Sequence, residues 1–252
     1  MNDINIITMV DRAMNIIEYI YNNTEEVGVS TISKDLDLPK ATVFRILSTL
    51  EKWDAVEKVN DDGKYILGKS HIKYGEKSKN QFDIVSISTP YMKKLSEDIG
   101  ETINLGMKYK DNILILKSIE GESSILVSKL IPITPLHCSS IGKLFLAEFT
   151  DKELSEYFNS NISKRTINTI TNVQQFNYDK RNIIDTSIAH DNEEYEYGLT
   201  CLASPIKDKN EDINAGISIS GPTTRLQYKN LEFLEDKLKS TTEAISTELK
   251  LI

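Results

Sequence analysis

Three stretches of this 252-residue chain place side chains where they could do chemistry. In Pro135-Leu136-His137-Cys138-Ser139-Ser140-Ile141-Gly142-Lys143 the serines stand where a helix would begin. They can cap it and leave the N–H groups of Ser140, Ile141 and Gly142 aimed at a ligand. Such a helix start carries partial positive charge and favours a carboxylate or a phosphate. The second stretch is His190-Asp191-Asn192-Glu193-Glu194, followed by Gly198-Leu199-Thr200-Cys201-Leu202-Ala203-Ser204-Pro205-Ile206. On a strand Cys201 and Ala203 share one face and Leu202 and Ser204 the other. Cys201 can therefore line a cavity, the alternative being a buried structural cysteine. In the third, Ala215-Gly216-Ile217-Ser218-Ile219-Ser220-Gly221-Pro222, period two sets Gly216, Ser218 and Ser220 opposite Ile217 and Ile219. Two hydroxyls beside a bare backbone suit a small polar ligand better than a dry core.

Two other chemistries use the same residues. Cys138 or Cys201 could serve as a nucleophile with His137 or His190 as base. His137, Cys138, His190, Asp191 and Cys201 are also acceptable metal-ligand types. No compact catalytic motif surrounds either cysteine and no metal-ligand spacing joins the set, so no catalytic residue, metal or cofactor is assigned. A cysteine-dependent enzyme and a metal-sensing regulator stand as alternatives.

A fourth set lies near the N-terminus. Ala13, Ile16, Ile17 and Ile20 form the apolar stripe of a helix over about 11–22, with Asp11 as cap or first-turn acid. A loop at 23–28 ends it, and Ser30 can cap a short second helix through Leu36. Pro39 is tolerated in the first turn of a third helix over about 39–53, whose inner face is Val43, Ile46, Leu47 and Leu50. Its outward face carries Lys40, Thr42, Arg45 and Ser48, side chains able to meet phosphates and base edges in a major groove. Residues 55–59, the turn Asn60-Asp61-Asp62-Gly63 and residues 64–67 read as a hairpin, a wing bearing Lys58 and Lys64.

The remaining elements follow. A polar, lysine-rich stretch over 70–79 and an apolar one over 82–99 read as two helical pieces joined near Asn80-Gln81, with Pro90 predicted to kink or restart the second. The domain boundary belongs at this joint. Runs at 102–107, 113–119 and 124–128 read as a three-stranded meander. Further strands are expected at 199–206 and 214–220, and helices at about 140–148, 152–157, 172–188 and 228–249. Strands, then helices, then strands imply an α+β sheet domain.

The blocks Asp11-Arg12-Ala13-Met14-Asn15-Ile16-Ile17, Leu38 through Leu50, and Gly63-Lys64-Tyr65-Ile66-Leu67-Gly68 resemble the winged helix-turn-helix of the IclR family of bacterial transcription regulators. Pro135-Leu136-His137 with Gly142-Lys143, Gly198 with Cys201, and Ser218 through Pro222 resemble that family's GAF-like effector-binding domain. The resemblance implies a DNA reader over 1–69, a linker helix over 70–80 and an effector domain over 81–252. It implies Ser140, Ile141, Asp191, Cys201, Ser218 and Ser220 as effector contacts. Its partners would be double-stranded operator DNA, a small carboxylate or sugar-acid effector, and further copies of the chain in a dimer or dimer of dimers. The chain departs from the commoner pattern at Ser140-Ile141, where small residues such as Gly-Ala are frequent, so Ile141 narrows the cavity.

Composition sets the outer limits. At 252 residues, 39% hydrophobic and 27% charged, the chain suits one large or two ordinary globular domains. No apolar run approaches a membrane span, the first residues lack a basic signal region, and two cysteines are too few for a disulfide framework, so a cytoplasmic protein is expected. The net charge of −8 excludes coating nucleic acid by bulk charge. Residues 1–68 themselves carry seven basic against twelve acidic groups. Binding must then rest on a few placed cations, be sensitive to salt, and gain from oligomerisation.

Overall fold

A computed structural model describes residues 6–59, 63–121, 132–160 and 162–251. Contacts divide the chain into two compact units, Met1–Gln81 and Phe82–Ile252.

The first unit begins with α1 (Thr8–Asn22), which starts before Asp11 and holds that residue as its first-turn acid. The expected loop contains a short strand, β1 (Val27–Gly28), and α2 (Val29–Asp35) follows. Ser30 does not cap α2: Gly28 holds the N-cap position and no side chain bonds there. The turn closes through Asp37 at φ 51° and a 2.6 Å bond from Ser33 Oγ to the Leu38 carbonyl. It delivers α3 (Lys40–Lys52), which has Pro39 at its N-cap. β2 (Val56–Val59) and β3 (Lys64–Leu67) form the hairpin, and β1 pairs with the far edge of β3. Asn60, Asp61 and Asp62 of its turn lie outside the described residues. Ile16, Ile20, Val27, Ile32, Val43, Leu47, Val56 and Tyr65 make the core of this unit. α4 (Ser70–Lys79) completes it.

The second unit opens with α5 (Asp83–Ile99), which runs through Pro90 without restarting. Proline removes one hydrogen bond, but Ile84, Ile87, Met92 and Leu95 pack the helix into the core, and that burial outweighs the loss. β4 (Thr102–Tyr109), β5 (Asn112–Ile119) and β6 (Ile133–Pro135) follow. The strand expected at 124–128 lies outside the described residues. Next come α6 (Ser140–Ala147), α7 (Asp151–Asn159) with a Thr150–Glu153 capping box, and α8 (Val173–Thr186). β7 (Ala189–Asn192) is a strand that sequence patterning missed, ahead of β8 (Leu199–Lys207) and β9 (Ile213–Pro222). The final helix expected over 228–249 begins at Leu231 as α10 (Leu231–Leu249), and a short helix that sequence patterning missed, α9 (Thr223–Tyr228), precedes it, the two divided at Asn230, whose φ is 68°.

The six strands form an antiparallel sheet in the order β6-β5-β4-β9-β8-β7. Its alternation sorts two cores. Ile103, Leu105, Leu202, Ile217 and Ile219 pack with α5 and α10. Ile113, Ala189 and Ala203 face α6 to α8 with Ile141, Leu144 and Phe176.

Candidate functional site

The α3 surface sorts cleanly. Val43, Ile46 and Leu47 are buried, while Lys40, Phe44, Arg45, Ser48 and Thr49 are exposed. Thr42 is half-buried and so sits at the margin of the face on which sequence reasoning placed it. Phe44, 56% exposed beside Arg45, is the residue that reasoning missed. An aromatic in water on such a face suits apolar contact with a thymine methyl. The signal that could have found it is periodicity, because Phe44 lies off the inner stripe of Val43, Ile46, Leu47 and Leu50. The hairpin lysines separate: Lys58 pairs with Tyr65 and Lys64 with Val59, so they point to opposite faces. Lys64 also lies 3.8 Å from Glu26, an exposed pair that contributes little to stability.

In the sheet domain, the face opposite α5 and α10 carries a connected polar row. Ser218 pairs across the sheet with Asn104 and Ala203, and Ser220 with Thr102 and Cys201, while Cys201 pairs in turn with Asp191. Asn104, absent from the sequence-derived set, ties the row together. Its Nδ2 donates to Ser218 Oγ at 3.4 Å and Ser220 Oγ at 3.1 Å, and its Oδ1 accepts from Ser118 Oγ at 2.8 Å. No local signal marks Asn104, since its role comes from strand pairing 114 residues away.

α6 covers this face. Ser139 is its cap, accepting from Gly142 N–H at 3.2 Å, so that donor is not free as the sequence suggested. Gly216 is not an open floor either. A Cβ there would meet Ile141 Cγ2 at 3.0 Å, and one on Gly106 would meet Ile141 Cδ1 at 3.2 Å. The bulk of Ile141 is thus accommodated by two bare strand positions.

The acidic end is built from β7 and the turn after it. Asp191 is buried and its Oδ1 accepts from the N–H groups of Glu194 at 2.8 Å and Tyr195 at 3.3 Å. Burial, reinforced by neighbouring Glu194, pushes its carboxyl up to about 7 despite those bonds. Lys143 of α6 is fully buried, and its Nζ donates to Asp179 Oδ2 and Glu194 Oε1, both at 2.5 Å, and to the His190 carbonyl at 2.7 Å. The expected consequence is a stability term of definite sign. A carboxyl whose folded value is raised stabilises most below its unfolded value of about 4 and loses that contribution as pH climbs to about 7. Thermal melts of the parent minus Asp191→Asn should isolate this falling difference over that window. A flat difference would contradict the assignment.

The alternative chemistries lack support. Burial pushes the Cys138 thiol up to about 12 and raises Cys201 as well, the reverse of an activated nucleophile. His137 is engaged with Tyr157 Oη at 3.0 Å and the Ser163 carbonyl at 3.0 Å. Among the described residues no group of three or more His, Cys, Asp or Glu could hold a metal ion.

Comparison with known proteins decides the family. The IclR helix-turn-helix domain matches residues 9–60, and the bacterial transcriptional regulator IclR C-terminal domain matches residues 77–247. The chain belongs to the IclR family. Its members are transcription regulators, not enzymes, and the helix-turn-helix assigns this one to DNA. Over 244 residues the chain is 29% identical to the HTH-type transcriptional repressor AllR of Escherichia coli K12, covering 96% of this chain and 90% of that protein. The Thermotoga maritima IclR crystal structure superposes with a TM-score of 0.70 at 30% identity, covering 97% and 99% of the two chains. An IclR homologue from Microbacterium hydrocarbonoxydans complexed with 4-hydroxybenzoate has the same fold, with a TM-score of 0.79 at 18% identity, covering 96% and 98%. Among the described residues no helix is long and apolar enough to cross a membrane.

Proposed function

We propose that this IclR-family regulator is a cytoplasmic repressor whose grip on operator DNA changes when a small organic acid binds the sheet domain. The observation that carries the reading is the polar row on the sheet face that α6 covers: Asn104, Ser218, Ser220, Cys201 and Asp191 on a face otherwise packed with apolar side chains. The N–H groups of Ser140 and Ile141 offer an anion the favourable end of the α6 dipole. A relative of the same fold complexed with 4-hydroxybenzoate, and a relative named a repressor, support the same reading. Lys40, Thr42, Arg45, Ser48, Lys58 and Lys64 contact the DNA, and the joint between α4 and α5 transmits the change. The effector must bind one arrangement of the two units better than the other, since equal affinity shifts nothing. The double variant Ser218→Ala with Ser220→Ala is expected to abolish the effector response in a reporter assay while leaving gel-shift affinity intact. An unchanged response would refute the site.

The working form is an oligomer. Along α1 and its N-cap Ile7, a second apolar stripe of Ile7, Val10, Met14, Ile17 and Tyr21 recurs at alternating spacings of three and four; Ile17, expected on the core stripe with Ile16 and Ile20, is half-buried and lies outside the core of this unit. That spacing is self-complementary, and a second copy of this chain is its occupant. Met14→Glu is expected to convert the oligomer to a smaller species by light scattering and to weaken operator binding with it. An unaltered mass would move the interface elsewhere.

A further inference from the structure

The sheet face described above ends in a polar atom that the fold leaves unused. Glu194 is 4% exposed, and while its Oε1 accepts from Lys143, its Oε2 is buried with no hydrogen-bond partner among the described residues. A buried carboxylate oxygen left without a donor is costly, and in native proteins such an atom calls for a specific explanation. Its surroundings supply one. The Glu194 N–H donates to Asp191, which pairs with Cys201, which pairs with Ser220, so Glu194 stands at the acidic end of the polar row. Among the described residues the one buried cation there, Lys143, is already shared between Asp179 and Glu194 and is not available to a ligand anion.

We propose that Glu194 is an effector contact and that it selects a class of ligand: an acid bearing hydroxyl donors on the carbons remote from its carboxylate. The inference rests on the reading of this face as the effector site. The two ends of the site then ask for opposite chemistry. The start of α6 accepts the anion, while Glu194 accepts hydrogen bonds and disfavours a second negative charge. A plain alkanoic acid satisfies the first end and leaves Glu194 Oε2 buried and unmet. A polyhydroxy acid satisfies both.

The test is calorimetric titration of the full chain with acids matched in carbon number, propionate against glycerate and butyrate against threonate. The hydroxylated member of each pair is expected to bind about tenfold to a hundredfold tighter, the range for a hydrogen bond to a charged group. In Glu194→Gln that preference should shrink to within about threefold, with the thermal melt reporting whether the variant is folded. If that variant does not fold, the parent titrations decide alone. Equal affinities within each pair for the parent overturn this inference and leave the effector site standing. Absence of binding by all four acids overturns both.

Discussion

Arg45→Ala is expected to weaken operator binding by about tenfold to a hundredfold, the cost of removing one well-placed arginine from a base or phosphate contact. Arg45 is exposed midway along the outer face of α3, flanked by Phe44 and Ser48, while the opposite side of the helix is locked into the core by Val43, Ile46 and Leu47. The helix has no freedom to present another side. The effect should be large because residues 1–68 hold seven basic groups against twelve acidic, leaving few cations to compensate. A gel shift on a duplex selected from a random pool, read across salt concentrations, measures it. Effector titration of the same variant should match the parent. Operator affinity equal to the parent's would remove α3 from the DNA interface.

Lys143→Met is expected to lower the thermal midpoint of the sheet domain by about 10 °C. Breaking a buried pair from one side costs about 3–5 kcal/mol, and a domain of this size shifts by roughly 2–4 °C per kcal/mol. The lysine side chain is 0% exposed and Glu194 5%, so loss of the cation strands a charge that water cannot reach. Asp179 is 26% exposed and recovers some hydration, which makes Glu194 the main source of the penalty. Adding Glu194→Leu to Lys143→Met should restore much of the lost midpoint, because the buried charge is then gone and only Asp179, which is partly hydrated, is left without its cation. Calorimetric melts of the single and double variants check both halves. A single variant melting with the parent would mean that the network carries no net stability.

The chain's own patterns reach far into this structure. The stripe Val43, Ile46, Leu47 and Leu50 orients α3 without help from anything distant, because helical periodicity is local. Period two likewise sorts Ser218 and Ser220 from Ile217 and Ile219 whatever strand lies alongside. The strand β7 was not legible, since four residues mixing Ala, His, Asp and Asn have no strand signature and pair only because β8 offers an edge. The break before α10 was missed for a related reason. Asn230 at φ 68° interrupts a stretch whose apolar spacing would also suit one continuous helix.

What the sequence by itself determined is the kind of module at each end of the chain and how its side chains sort by face: Lys40, Arg45 and Ser48 outward on α3, Ser218 and Ser220 on the face of β9 opposite Ile217 and Ile219. What only the tertiary structure decided is which distant residues meet them. Asn104 reaches Ser218 and Ser220, Ile141 fills the space above Gly106 and Gly216, and Glu194 shares Lys143 while keeping one oxygen unmet. The physical reason is range. Periodicity and capping act over a few residues, whereas strand register and the burial of charge depend on partners that chain order does not reveal.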